Sequence, residues 1–273
     1  MRFAYFGIIG LIAATLAGLP FLPTQDGPVH LYYSVVLADL LRGGHVFASS
    51  YQIRNILAPY SFHWYLLILL NKAFDPLVSE RLVAVIAIFG LGAGCWRLAK
   101  ALNGSAPAMQ MLFLPLLATW ALYMGLFNFV LGIGTLFYLM GWWLDNEQHK
   151  LAGPRSALFF GGLMLLASMH PVALLMFFLF AGTLVIVESA IILKNNGVSM
   201  AVVRQIFRRK AVPLTCLGSG SLILLWIRHF VTAPNVAEQI PTGAMVGRII
   251  GTFTLRLIKP GKEAKDIAKK SGD

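Results

Sequence analysis

The sequence predicts an all-α, polytopic membrane bundle of about eight segments, with an interfacial helix in its first loop. Three observations lead there. Hydrophobic residues make up 58% of the 273-residue chain and charged residues only 12%, with a mean hydropathy of +0.75, a balance that water-soluble domains do not carry. Several apolar runs approach the roughly 20 residues that cover about 30 Å of hydrocarbon at about 1.5 Å per residue. Those runs are continuous, whereas the strands of a membrane β-barrel would alternate apolar and polar positions.

Taken in order, the first run covers residues 3–22 and exceeds the roughly 7–15 apolar residues of a cleavable signal. A polar interruption at 23–60 follows, then candidate segments at 61–74, 82–102, 109–122, 126–144, 157–169, 172–193 and 213–230. Small residues recur inside them, at Gly90, Gly92 and Gly94, at Gly132 and Gly134, and at Gly161 and Gly162. Such positions let helix backbones approach closely in lipid, and none has the Lys-Ser/Thr continuation of a phosphate loop. Residues 1–231 therefore read as one transmembrane domain. Residues 232–273 read as a polar basic tail containing Pro234, Pro241, Pro260, Lys262, Lys265, Lys269 and Lys270, with a disordered end.

The formal charge is +11. The densest basic cluster is Lys194, Arg204, Arg208, Arg209 and Lys210, which belongs on the cytoplasmic side together with Lys150 and Arg155. If every segment crosses, that cluster shares a side with Asp26; if one fails to cross, the two lie on opposite sides. The segment at 109–122 is the candidate for such a failure, being short and containing Pro115, and charge alone leaves the two arrangements open. The basic excess suits anionic membrane lipids, and without a soluble basic domain nucleic acid is not an expected partner. Cys95 and Cys216 have no CxxC partner and suggest neither a disulfide framework nor a metal site.

The first loop has the most specific local grammar. Asp26 can N-cap a helix that has Pro28 in its first turn and stops at Gly43 and Gly44, so a mostly apolar helix is expected over 27–42. On it, His30 and Ser34 follow Asp26 along one face, and Asp39 lies opposite, within reach of Arg42. Asp26 is then either a simple cap or a functional carboxylate at the membrane boundary. His30, His45 and His63 do not have the spacing of a compact zinc site and read as interfacial histidines. Further on, Pro171 makes Ser168, Met169 and His170 a turn between two helices, and Asn128 reads as a polar group bonded across the bundle.

The stretch Gln25-Asp26-Gly27-Pro28-Val29-His30-Leu31-Tyr32, with the return Ala58-Pro59-Tyr60-Ser61-Phe62-His63-Trp64 into the next segment, resembles the GT-C superfamily of integral-membrane glycosyltransferases. The resemblance implies transfer of a sugar from a polyprenyl-phosphate donor to an acceptor outside the cytoplasm, in a multi-pass protein of the bacterial inner membrane. It implies that Asp26 acts as the general base or helps to hold a divalent metal, Mg or Mn. It assigns substrate contacts to His30, Tyr33, Arg42 and Arg54, either arginine being able to face the departing phosphate. Relatives often carry a second acid, beside the first or in a later loop; Gln25 occupies the neighbouring position here.

Two other classes compete. A transporter or flippase would place ionisable groups near mid-membrane, often in two related halves, and the spans carry almost no central charge and no repeat of the first loop. A non-catalytic membrane subunit would tolerate Asp26→Asn without loss of activity.

Overall fold

The computed structural model describes residues 1–53, 59–104, 110–117, 119–146, 154–204, 206, 218 and 258–260. Apart from two three-residue strands, these form helices: α1 (Arg2–Gly18), α2 (Gly27–Leu41), α3 (Phe62–Leu70), α4 (Pro76–Asn103), α5 (Trp120–Tyr123), α6 (Phe127–Asn146), α7 (Pro154–Met169) and α8 (Pro171–Asn196). The strands β1 (Tyr51–Ile53) and β2 (Ile258–Pro260) pair antiparallel. Three helices, α4, α6 and α8, are long and apolar enough to cross a membrane, as a membrane protein requires.

The segments expected at 3–22 and 157–169 form α1 and α7, with 17 and 16 residues. The stretch expected at 61–74 yields only the nine-residue α3, about 14 Å long and too short to cross. The stretch expected at 109–122 is not one helix. Pro115 falls in a 3-10 turn, Leu114–Leu117, separate from the single turn of α5, because proline removes an N–H from the helical ladder. The segment expected at 213–230 lies outside the described residues, as does most of the basic tail.

Packing fixes the directions. Tyr5 Oη donates to Gly92 O at 3.0 Å, and Arg81 donates to the carbonyls of Ala17 and Leu19, so α1 and α4 run antiparallel. α4 and α6 run parallel in close backbone contact: a Cβ added to Gly94 would lie 2.1 Å from Gly134 O, and one added to Gly141 2.8 Å from Arg97 C. The small residues seen in the sequence are thus what lets this central pair meet. α7 returns antiparallel to α6, with Met169 at Thr135, Gly162 at Leu139 and Phe159 at Trp143. α8 then starts beside Gly132 and runs away again.

One end of the bundle therefore gathers the C-terminus of α1 and the N-termini of α2, α3, α4, α6 and α8. The described part of the stretch before α6 leads back to this end: Leu117 lies against Gly92, and the Tyr123 and Met124 carbonyls accept the Gln25 and Asp26 N–H groups. Arg97, Lys100, Asp145 and the end of α8 lie at the other end. α4 and α6 form the centre, each 56% buried over its most apolar window, whereas α8 is 17% buried and turns Leu175, Leu179 and Ile186 outward. That exposure suits a lipid-facing helix.

Candidate functional site

Asp26 occupies the N-cap position of α2, but its side chain makes no capping hydrogen bond, so of the two readings the sequence left open, the simple cap is not the one seen. Backbone contacts hold the residue instead. Asp26 N–H donates to Met124 O at 3.0 Å, and Gly125, at φ +78, would bring a Cβ within 2.9 Å of Gly27 N. Only glycine accommodates both that left-handed conformation and that approach. The half-buried carboxylate thus stands where the end of α1, α2 and the start of α6 meet.

Glu80, in the second turn of α4, completes this junction. It is 2% exposed, accepts from Thr24 Oγ1 at 3.1 Å, and presses on Gly27 so closely that a Cβ there would lie 1.8 Å from its Oε1. Sequence reasoning missed it, because the expected span began at residue 82 and left Glu80 in a loop. Extending α4 back to Pro76, with Asp75 accepting from Leu77 N–H as its N-cap, turns Glu80 into an ionisable residue inside an apolar span, a feature that marks function by default.

Below Thr24 lies a cavity of about 230 Å³, walled by Ile12, Leu16, Leu19, Ala84, Leu117 and Phe127, among others. Apart from the polar side chains of Thr24 and Tyr123, its lining is apolar, so it accepts a hydrocarbon segment and no charged group.

On the other side of Asp26 the structure assembles a polar cluster from residues far apart in sequence. His30, in the first turn of α2, meets His63, the second residue of α3, edge to face at a centroid distance of 4.4 Å. Trp64 Nε1 donates to His30 Nδ1 at 3.2 Å. Asn128, the second residue of α6, accepts from His63 N–H at 3.0 Å through Oδ1, which turns its Nδ2 toward His63 Nδ1 and the Tyr60 carbonyl. The expected cross-bundle bond of Asn128 is therefore present. Tyr60 adopts φ +64, unusual for a non-glycine residue, and its ring lies edge to face with His170, 4.9 Å away.

These partners set the protonation states. Indole N–H only donates, so His30 Nδ1 accepts and its neutral ring carries the proton on Nε2; for His63, Nδ1 accepting from Asn128 Nδ2 gives the same tautomer, with the Tyr60 carbonyl as the competing acceptor. Burial lowers the His30 pKa to about 4, overriding the opposing attraction of Asp26. Burial and the neighbouring His30 hold His63 well below the ordinary histidine range, against the contacts from Asn128 and Tyr60. Burial likewise lowers His170, at the expected α7–α8 turn, to about 4 and raises Tyr60.

Of the residues expected to bind substrate, His30 lies in this cluster, and Tyr33 packs on Trp64 at 5.7 Å. Arg42 does not join them: it is exposed at the C-cap of α2, about 22 Å of helix from Asp26. Asp39 faces Gly44 and accepts from Phe47 N–H at 3.3 Å, tying down the loop after α2 in place of the expected contact with Arg42. Arg54 lies outside the described residues. His45 is exposed. Among the described residues, no group of three or more His, Cys, Asp or Glu side chains is arranged to hold a metal. With Nδ1 accepting, neither His30 nor His63 can offer an Nε2 lone pair without giving up its Trp64 or Asn128 contact.

No protein-family model matches the chain, and neither do any curated proteins or solved structures.

Proposed function

We propose that this protein is a multi-pass membrane glycosyltransferase of GT-C type, in a bacterial inner membrane, that transfers a sugar from a polyprenyl-phosphate donor to an acceptor outside the cytoplasm. The carrying observation is the junction at Asp26: a carboxylate that caps nothing on its own helix stands two residues from Thr24, at the polar edge of an apolar cavity, with Glu80 beside it. In this reading the lipid chain enters the cavity and the sugar phosphate stays at the junction. Asp26 takes the proton of the acceptor hydroxyl as the anomeric carbon develops positive charge. Glu80 is the second acid.

A divalent metal, Mg or Mn, fits the oxygen-rich side of this junction better than the histidine side, because such ions take carboxylates together with substrate phosphates. Asp26 would hold it, and it would supply charge stabilisation for the departing phosphate. Charge supports the proposed orientation: Arg2, Arg97, Lys100, Arg155 and Lys194 lie on helix ends remote from Asp26, against Lys72 and Arg81 at the Asp26 end, and basic ends prefer the cytoplasm. In this reading α3 does not cross, and the end of α8 and the first loop lie on opposite sides.

The test is sugar transfer in membrane vesicles supplied with labelled polyprenyl-phosphate sugars. Asp26→Asn is expected to abolish transfer while leaving the protein folded; transfer at the wild-type rate in that variant would defeat the proposal.

A further inference from the structure

We propose that His63, backed by His30, is a neutral hydrogen-bond donor that binds a phosphate oxygen of a singly charged phosphodiester where the N-termini of α2, α3 and α6 converge. The substrate class rests on the transferase reading above; the donor itself rests on geometry. His63 is 1% exposed and its Nε2 has no hydrogen-bond partner among the described residues. Its Nδ1 faces the Asn128 amide N–H group, and in the proposed tautomer Nδ1 accepts there and Nε2 carries the proton. A buried N–H donor without an acceptor costs about 1–3 kcal/mol, and this one is held by a ring contact on one side and a side-chain amide on the other.

The surroundings favour an anionic oxygen. His30 is in the first turn of α2, and His63 and Asn128 are the second residues of α3 and α6. Three positive helix ends thus meet at one cluster. The same surroundings disfavour an imidazolium. Protonating Nδ1 of His30 would set N–H against N–H at Trp64, and protonating Nδ1 of His63 would set it against the Asn128 amide N–H, with the Tyr60 carbonyl as the acceptor beside it. The titratable groups around the pair are Asp26 one turn back on α2, Glu80 against Gly27 from α4, Tyr33 packed on Trp64, and Tyr60 with His170 beyond Asn128. Among the described residues no cation stands with them: Arg42 is at the far end of α2 and Arg81 is engaged by the α1 carbonyls.

The experiment titrates the full chain in nonionic detergent with dibutyl phosphate, a phosphodiester whose charge is constant across the range, followed by phosphorus NMR line broadening. Affinity is expected to vary less than about threefold between about pH 6 and about pH 8.5, whereas a cationic histidine would lose about tenfold per unit above its pKa. His63→Phe, which keeps a flat ring but no donor, is expected to weaken binding by about tenfold or more, and His63→Gln, which restores an N–H, to stay within about threefold of wild type. Polyprenyl-phosphate sugar should displace the probe and phosphatidylglycerol in nanodiscs should not; displacement by phosphatidylglycerol would make this a general headgroup site and overturn the substrate assignment. Absence of saturable binding by folded wild type, a steep loss of affinity with rising pH, or wild-type binding by His63→Phe would each overturn the proposal. Because binding is read without turnover, these failures are separate from a failure of sugar transfer.

Discussion

The two ends of the α4–α6 pair handle polar groups in opposite ways. At the end remote from Asp26, Arg97 and Asp145 meet at 2.7 Å with their side chains 30% and 37% exposed, and the guanidinium lies 5.7 Å from the centre of the Tyr138 ring. Water reaches both partners there, so the charges remain and the contact is inexpensive to lose. At the Asp26 end, His30, His63, Asn128 and Glu80 are all at least nine-tenths buried. Each of these is held by a named partner from another element. Burying so many polar groups is unfavourable unless each is satisfied, and His63 Nε2 is left without a partner among the described residues. The difference teaches where function belongs: one end anchors the bundle with solvated charge, and the other holds fixed polar groups around a half-buried carboxylate.

What joins the two ends is the glycine contact, and breaking it should have the largest effect. A Cβ on Gly134 would lie 2.7 Å from Gly90 C and Leu91 N, backbone atoms that cannot yield. Gly134→Val is expected to cost about 3 kcal/mol or more, read as a shift in the unfolding transition in mixed detergent; an unchanged transition would mean that α4 and α6 are not in backbone contact. Next comes Asp26→Asn, expected to lower transfer by about 100-fold or more with an unaltered transition. That result would separate chemistry at this end from stability along the pair.

A third effect distinguishes the ends by pH. His30 has a pKa of about 4 in the folded protein, below the ordinary value of about 6.5. Between those values the unfolded chain binds more protons, so stability is complete above about pH 6.5 and falls as pH drops toward about 4. The loss is about 1.4 kcal/mol per unit, or about 2 kcal/mol by pH 5. His30→Gln should remove this share of the slope in pH-dependent unfolding and leave the shares of His63 and His170; an identical slope in the variant would show that His30 does not titrate in this window. The smallest effect belongs to the basic end. Arg97→Met is expected to cost at most about 1 kcal/mol, with the difference shrinking as salt screens the pair; a loss of several kcal/mol would show that this pair is structural in the way the histidine cluster is.

Much of this was legible in the sequence, for identifiable reasons. Continuous apolar runs gave the helices, the spaced glycines gave the central contact, and Pro171 gave the turn at His170. Asp26, Pro28 and Gly43 marked the limits of α2 to within a residue, since cap and stop signals are local. The α3 region was less legible because hydropathy does not distinguish a span from a short helix buried by its neighbours. Trp64 and Leu67 of α3 are buried against the bundle, so their apolar character serves packing. The histidine cluster was invisible because His30, His63 and Asn128 are brought together only by the packing of three helices. Glu80 was missed because a boundary error of a few residues moved it out of its span.

The central claim is that the Asp26 end faces away from the cytoplasm and the Arg97 end toward it. Gly27 leaves no room for a reporter beside Glu80, so the probes belong at Gln25, next to Asp26, and at Lys100, both exposed. In a variant lacking Cys95 and Cys216, Gln25→Cys and Lys100→Cys would each be treated with an impermeant thiol reagent on intact cells and after lysis. The expected result is labelling of Gln25→Cys on intact cells and of Lys100→Cys only after lysis. The reverse pattern, in folded protein, would put Asp26 on the cytoplasmic side and contradict transfer from a lipid-linked sugar outside it.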